Sequence, residues 1–246
     1  MSVMIVLVYY QNEYLELFLN NLFKNNFGNK FNISVIENYS EKTDDFIRPF
    51  LKRILFEKKI HRYVLFNENI ANSAIQKYLE IYSHEILANK YTIVSDSDLD
   101  FDPIKAHNEC INILDRHPQN DFCSLRLDFS NLPYKTYENA HQWFPKYQPY
   151  CCYLRGHGGI HFSHFRSKNL IDYILNAKNI NRPFLDSDMN KFLLSENKSP
   201  CITRINTAKH LTWDDYGLVS EYSKLKKLVD NNIWTTMLDS NFEVYE

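Results

Sequence analysis

Apolar runs and amphipathic stripes alternate along the first half of the chain. Residues 3–10 form a continuous apolar run, the pattern of a strand buried on both faces. A polar elbow at Gln11-Asn12-Glu13 follows. Leu15, Phe18, Leu19, Leu22 and Phe23 then repeat at helical spacing. The alternation recurs with a strand at 31–36 and a stripe through Phe46, Phe50, Leu51 and Ile54. It recurs again with a strand at 63–66 and a stripe through Ile70, Ala74, Tyr78, Ile81 and Tyr82. A fourth strand begins at Tyr91, and Pro103 suits the first turn of a helix reaching Arg116, with Ile104, Ile111 and Leu114 inward. Strands alternating with helices predict a mainly parallel sheet covered by helices, an α/β fold.

Beyond residue 116 the pattern loosens. A strand is expected at 122–127, and residues 131–150, rich in Pro, Tyr and polar groups, read as a long loop or flap. Residues 153–162 hold Gly156, Gly158 and Gly159, three of the 5 glycines. Helices are expected at 166–177, 184–194 and about 218–230, with a short strand at 201–205. The chain of 246 residues reads as one unit, with a half of regular strand-helix alternation at 1–102 and a second half at 103–246.

The fourth strand ends in Asp96-Ser97-Asp98-Leu99-Asp100-Phe101-Asp102. Carboxylates this dense repel one another unless a cation sits among them. In an extended segment Asp96 and Asp98 share a side, and Asp100 and Asp102 continue that row. Mg²⁺ or Mn²⁺ takes one or two such carboxylates and fills its shell with water and phosphate oxygens. Asp102, just before Pro103, is placed to cap the helix. In a doubly wound sheet the carboxyl ends of the strands cluster along one edge. Tyr9, Asn12 and Glu13, then Glu37 and Asn38, then Asn67, and Asp96-Ser97-Asp98 would line one crevice. Its amides and acceptors suit a nucleobase and ribose. Almost no positive charge is there for phosphates, which leaves that task to the metal.

Composition narrows the classes. A net charge of -2 excludes a general pull toward nucleic acid or anionic membrane. With 5 Gly there is no glycine-rich phosphate loop. Tyr and Phe, 17 each, exceed what a core needs, and some could line a sugar cleft. The 5 Cys have no metal-ligand spacing. No signal peptide and no apolar stretch near the roughly 20 residues of a membrane span are visible, so a reduced cytoplasmic protein is expected, touching a membrane only peripherally through its acceptor.

The order of motifs resembles the GT-A glycosyltransferases, the nucleotide-sugar-dependent fold with a DxD motif. The resemblance covers about residues 3–213. Val8-Tyr9-Tyr10-Gln11-Asn12-Glu13 matches the donor-binding turn and Glu37-Asn38-Tyr39-Ser40 the nucleotide contact. Asn67-Glu68-Asn69-Ile70-Ala71-Asn72 matches the Asn-rich loop, and Asp96-Ser97-Asp98 the DxD itself. Gly156-His157-Gly158-Gly159 resembles an acceptor segment, Asp186-Ser187-Asp188 an acidic pair opening a helix, and His210 a late metal ligand. The resemblance implies Mn²⁺ or Mg²⁺ on Asp96, Asp98 and His210. It implies donor contacts from Tyr9, Asn12, Glu13, Glu37, Asn38, Asn67, Asn72 and Ser97. It also implies a UDP-sugar by preference, a saccharide or glycolipid acceptor, and a role in polysaccharide assembly of the bacterial type. Asp188 or Asp186 would be the base of an inverting transfer. This chain departs from the common family-two pattern there, since Asp-Ser-Asp stands where Glu-Asp is usual.

Each residue also has a plainer reading. Asn12 can cap a helix and Glu37 can close a strand. Asp186 and Asp188 can be first-turn charges favoured by the helix dipole. His157 and His161 can face an acceptor or pack in the core. Two other functions carry an Asp-x-Asp or a sugar cleft. A haloacid-dehalogenase-type phosphatase places its motif near the N-terminus, after the first strand, whereas three strand-helix units precede this one. A non-catalytic nucleotide- or carbohydrate-binding module would dispense with the carboxylates.

Overall fold

The computed structural model describes residues 2–8, 12–38, 45–68, 70, 73–130, 147–156, 158–179, 186–196, 198, 200–214 and 241–246. The strands are β1 (Ser2–Val8), β2 (Phe31–Glu37), β3 (Arg62–Phe66), β4 (Tyr91–Asp96), β5 (Leu99–Asp100), β6 (Phe122–Asp128), β7 (Gln148–Tyr150), β8 (Tyr153–Arg155), β9 (Ser163–Arg166), β10 (Cys201–His210) and β11 (Phe242–Tyr245). The helices are α1 (Asn12–Phe23), α2 (Ile47–Phe56), α3 (Ser73–Ile81), α4 (Ser83–Leu87), α5 (Pro103–Arg116), α6 (Ser167–Asn179) and α7 (Asp186–Ser195).

One sheet contains all the described strands in the order β11-β3-β2-β1-β4-β9-β6-β10-β8-β7, with β5 paired to β10. β3, β2, β1 and β4 are mutually parallel, as the strand-helix alternation requires. Beyond β4 the sheet is mixed, because β9 runs antiparallel between β4 and β6 while β6 and β10 pair in parallel.

β1 shows why the sheet must be covered twice. Met4, Val6 and Val8 enter one core, with Leu15, Phe18 and Leu19 of α1 and Phe50, Leu51 and Ile54 of α2. Val3, Ile5 and Leu7 enter the opposite core, with Ala74, Tyr78 and Leu79 of α3, Leu170 and Ile174 of α6, and Met189 and Leu193 of α7. Successive side chains on a strand point to opposite faces, so a continuous apolar run needs helices on both. Asp102 caps α5 as expected, accepting from the N–H groups of Ile104 and Lys105, both at 3.1 Å, with Pro103 at the first position. The Lys105 N–H, first among the causes, pulls the Asp102 carboxyl below the usual range.

The late strands differ from the pattern-based expectation. β10 is twice the length of the short strand expected at 201–205, and an irregularity between Ile202 and Thr207 bends it back against β6. Glu109 holds that bend, its carboxylate accepting from the backbone N–H groups of Arg204, Ile205 and Asn206. β11 lies antiparallel on β3, where Tyr245 stacks on Tyr63 at 5.3 Å between centroids. The residues of the expected flap up to 146 and of the helix expected at 218–230 lie outside the described residues. All five cysteines are free thiols.

His107 of α5 and His164 of β9 meet under the sheet at 2.8 Å, Nδ1 to Nε2, among Phe27, Phe31 and Phe162. Burial pushes the His107 imidazole down to about 4, from 6.5, and pushes fully buried His164 down as well. Both rings are therefore neutral at neutral pH. In the unfolded chain such a ring takes its proton near 6.5, so between 6.5 and 4 the unfolded state binds more protons. Stability should be full above about 6.5 and drain away as pH falls toward 4, and His107→Gln should flatten that slope. Thermal unfolding across this range tests it; a midpoint that rises on acidification would contradict a neutral pair.

Candidate functional site

Strand order 3-2-1-4 makes β1 and β4 the place where the chain's winding reverses, the location in open α/β sheets where ligands bind. Leu7 pairs with Asp96 and Val8 with Glu37, so the carboxyl ends of three strands come level at that point. Asp96 closes β4, and a bend at Ser97 separates it from β5. The bend breaks the expected row of four carboxylates. Asp96 and Asp98 stay at the crevice. Asp100 turns outward to Asn21, whose side chain donates at 3.4 Å, and Asp102 is occupied by the cap.

β10 supplies the next part. Its end pairs antiparallel with β5, His210 opposite Leu99, and the Leu211 N–H donates to the Asp98 carbonyl at 2.8 Å. That pairing seats His210 beside Asp98, with Nδ1 3.4 Å from Oδ2. The Thr212 hydroxyl donates to the same Oδ2 at 2.5 Å and lies 3.1 Å from His210 Nδ1. With its proton committed to Asp98, the Thr212 oxygen accepts from His210, which fixes the Nδ1–H tautomer. Burial pushes His210 down to about 4, opposed by the Asp98 charge. The ring is therefore neutral at neutral pH, the form that binds metals.

His161 was not foreseen as part of this centre. Its Nδ1 lies 3.1 Å from Asp96 Oδ2, and its ring stands edge-on to His210 at 5.7 Å and 79°. One ligand atom from each of Asp96, His161 and His210 lies within 4.8 Å of the others, the spacing of donors around one ion. Burial pushes the Asp96 carboxyl upward, opposed by the His161 hydrogen bond and reinforced by Asp98. Asp98 Oδ1 is buried and has no hydrogen-bond partner among the described residues. A buried carboxylate oxygen without a partner is costly, and a divalent cation removes that cost. The residues present therefore fit such an ion: the Asp96 carboxylate and two imidazoles share an ion's spacing, and Asp98, with its unsatisfied oxygen, lies against His210.

The glycine segment delivers His161. Asn190 of α7 grips Gly158 twice, accepting from its N–H at 3.1 Å and donating to its carbonyl at 2.6 Å. A Cβ on Gly158 would come within 2.8 Å of the Phe122 ring, so only glycine fits there. The grip ties α7 to this segment, and α7 opens at Asp186 as expected. The side chains of Asp186 and Asp188 lie outside the described residues, as do those of Asn12 and Glu13 and the whole of Tyr9, Asn72 and His157.

The other expected donor contacts divide. Ser97 is buried in the bend, and Asn67 is exposed at the rim. Asn38 is buried and accepts from the Ile70 N–H at 3.2 Å, fastening the Asn-rich loop from below. Glu37 is fully buried. Oε1 accepts from Arg48 at 3.1 Å and Oε2 from the Tyr63 hydroxyl at 2.5 Å. The expectation that Glu37 faces a nucleotide is corrected accordingly: its oxygens are consumed beneath the strand end, where β11 covers β3.

No protein-family model matches the chain. Three proteins of Acanthamoeba polyphaga mimivirus do, all described as uncharacterized. L137 is 34% identical over 98% of this chain and 33% of its own length, and L142 is 31% identical over 98% and 50%. The chain thus spans between a third and half of these two relatives. Among solved structures, S. aureus TarS (residues 1–349) superposes with a TM-score of 0.53 at 13% identity, covering 99% of this chain and 67% of that one. A mannosyltransferase from Pyrobaculum calidifontis, in complex with GDP-Man and Mn²⁺, superposes with a TM-score of 0.54 at 10% identity, covering 96% and 69%. At such identities the likeness is one of fold, and the fold is of the GT-A type. Among the described residues no helix is long and apolar enough to cross a membrane.

Asp98→Asn removes a buried carboxylate with one unsatisfied oxygen, so the metal-free variant should be at least as stable as the parent. Mn²⁺ at a hundred times its dissociation constant should stabilise the parent by about 2.7 kcal/mol and leave the variant unmoved. Equal stabilisation of both in thermal denaturation would remove Asp98 from the centre.

Proposed function

We propose that this chain is a metal-dependent glycosyltransferase, moving a sugar from a nucleoside-diphosphate sugar to a hydroxyl acceptor. The observation that carries this reading is the carboxylate-imidazole centre at the winding reversal, with Asp98 Oδ1 buried and unsatisfied. The fold supports it. So do the ligands of two structures that share the fold: GDP-Man and Mn²⁺ in the mannosyltransferase, and UDP-GlcNAc in TarS. A UDP-sugar is the donor we favour, and a saccharide or glycolipid the acceptor. The relatives are viral, and nothing in them speaks for bacterial glycan assembly in particular.

The residues divide the work as follows. Asp98, His210 and Asp96 would hold a divalent cation, which supplies Lewis-acid stabilisation to a departing diphosphate. Asn38, by holding Ile70, shapes the wall against which a nucleoside would lie, and Tyr9, Asn12, Glu13, Asn67, Asn72 and Ser97 are its proposed contacts. Asn190 ties α7 to the glycine segment, and Asp186 and Asp188, in the first turn of α7, are the proposed acceptor-side carboxylates. Asp188 accepts the proton as the acceptor hydroxyl oxygen bonds to the anomeric carbon. The bond from that carbon to the diphosphate oxygen breaks, and the nucleoside diphosphate leaves with the electron pair. One displacement inverts the anomeric centre.

Asp188→Asn should cut turnover roughly 10²–10⁴-fold, the size of a general-base contribution, with donor affinity nearly unchanged. Asp186→Asn, which removes a first-turn charge favoured by the helix dipole, should instead cost about 1 kcal/mol or less of stability. Turnover and calorimetric donor titration on both variants separate the roles. Full activity in Asp188→Asn would reject it as the base.

A further inference from the structure

We propose that His161 is itself a ligand of the cation, together with His210, and that this pair of imidazoles makes the centre prefer Mn²⁺ and its heavier neighbours to Mg²⁺. The inference rests on the metal-dependent reading above and deepens it.

The centre is built as two facing carboxylate-imidazole pairs. Asp96 lies 3.1 Å from Nδ1 of His161, and Asp98 lies 3.4 Å from Nδ1 of His210. The two rings meet edge-on at 5.7 Å, and the donors of Asp96, His161 and His210 fall within 4.8 Å of one another. Asp96 Oδ2 and His161 Nδ1, 3.1 Å apart, stand at the separation of two donors sharing one ion, so Nδ1 is the nitrogen that His161 offers to the cation.

Hydrogen bonds fix the backbone around His161. Its carbonyl accepts from the Leu125 N–H at 3.1 Å, and the neighbouring Ile160 carbonyl accepts from the Asp96 N–H at 3.1 Å. Asn190 clamps Gly158 three residues earlier. Phe162, the next residue, is held at a φ of 50°, a conformation unfavourable for an aromatic L-residue, and its ring is buried 4.6 Å from that of Phe101. That turn lets His161 face Asp96 while Ser163 enters β9. Strain kept in place beside a cluster of donors is the pattern of a pre-organised site.

The chemistry then sets the ion. Mg²⁺ demands oxygen ligands in near-ideal octahedral geometry, whereas imidazole suits the first-row transition ions, with affinity rising from Mn²⁺ through Co²⁺. Two nitrogens in the shell move the centre away from Mg²⁺.

Co²⁺ with UDP, added to the full chain labelled with ¹⁵N-histidine, tests this without reference to turnover. Two paramagnetically shifted imidazole N–H signals are expected, and one in His161→Gln. That variant should also bind Co²⁺ at least about tenfold more weakly and lose the preference for Mn²⁺ over Mg²⁺. The signal count in the parent protein decides even if the variant folds poorly. A single shifted signal in Co²⁺-loaded parent protein would overturn the role of His161 and leave the metal-dependent reading standing. No uptake of Co²⁺ or Mn²⁺ by the parent, with or without UDP, would overturn both.

Discussion

A carboxylate buried without a full set of partners costs roughly several kcal/mol, and Asp98 stands in that condition at the end of the strand that closes the fold's parallel half. Thr212 and His210 meet one of its oxygens and nothing described meets the other. Much of the later chain is arranged toward this point. β10 runs past its expected end and bends at a turn held by Glu109, so that its last residues pair with β5. β9 inserts antiparallel next to β4, and the glycine segment before it carries His161 to Asp96.

The parallel half was legible in the sequence because one physical rule governs it. A strand covered by helices on both faces must be apolar throughout, and a helix on such a sheet must carry an apolar stripe. β1 with α1, β2 with α2 and β3 with α3 obey that rule. Asp102 and Pro103 mark the start of α5 by local chemistry alone. The later strands do not follow it. Ser163 and His164 of β9 are fully buried yet polar, paired with Ser124 and His107 across the core, so no apolar run announces the strand. β11 is short and largely exposed, and among the described strands it pairs with β3.

The centre was legible by half. Asp96 and Asp98 stand out because acidic residues seldom close a buried strand, and His210 came from a family pattern. His161 could have been found only by noticing that the second residue after the glycine pair lies level with the end of β4, which depends on a strand the sequence does not reveal. Glu37 went the other way. Its position at a strand end suggested a ligand contact, but Tyr63 and Arg48 lie within reach in space and take both its oxygens. Burial and neighbours, rather than place along the chain, decide what a carboxylate does.

The central claim is that Asp98 and His210 close on one divalent cation together with a nucleoside diphosphate. Crystals grown with Mn²⁺ and UDP, measured at the manganese absorption edge, test it most directly. The account predicts one strong anomalous peak within about 2.5 Å of Asp98 Oδ1 and a ring nitrogen of His210, in contact with diphosphate oxygens. A well-ordered UDP with no anomalous peak at those residues, or manganese bound elsewhere, would contradict it.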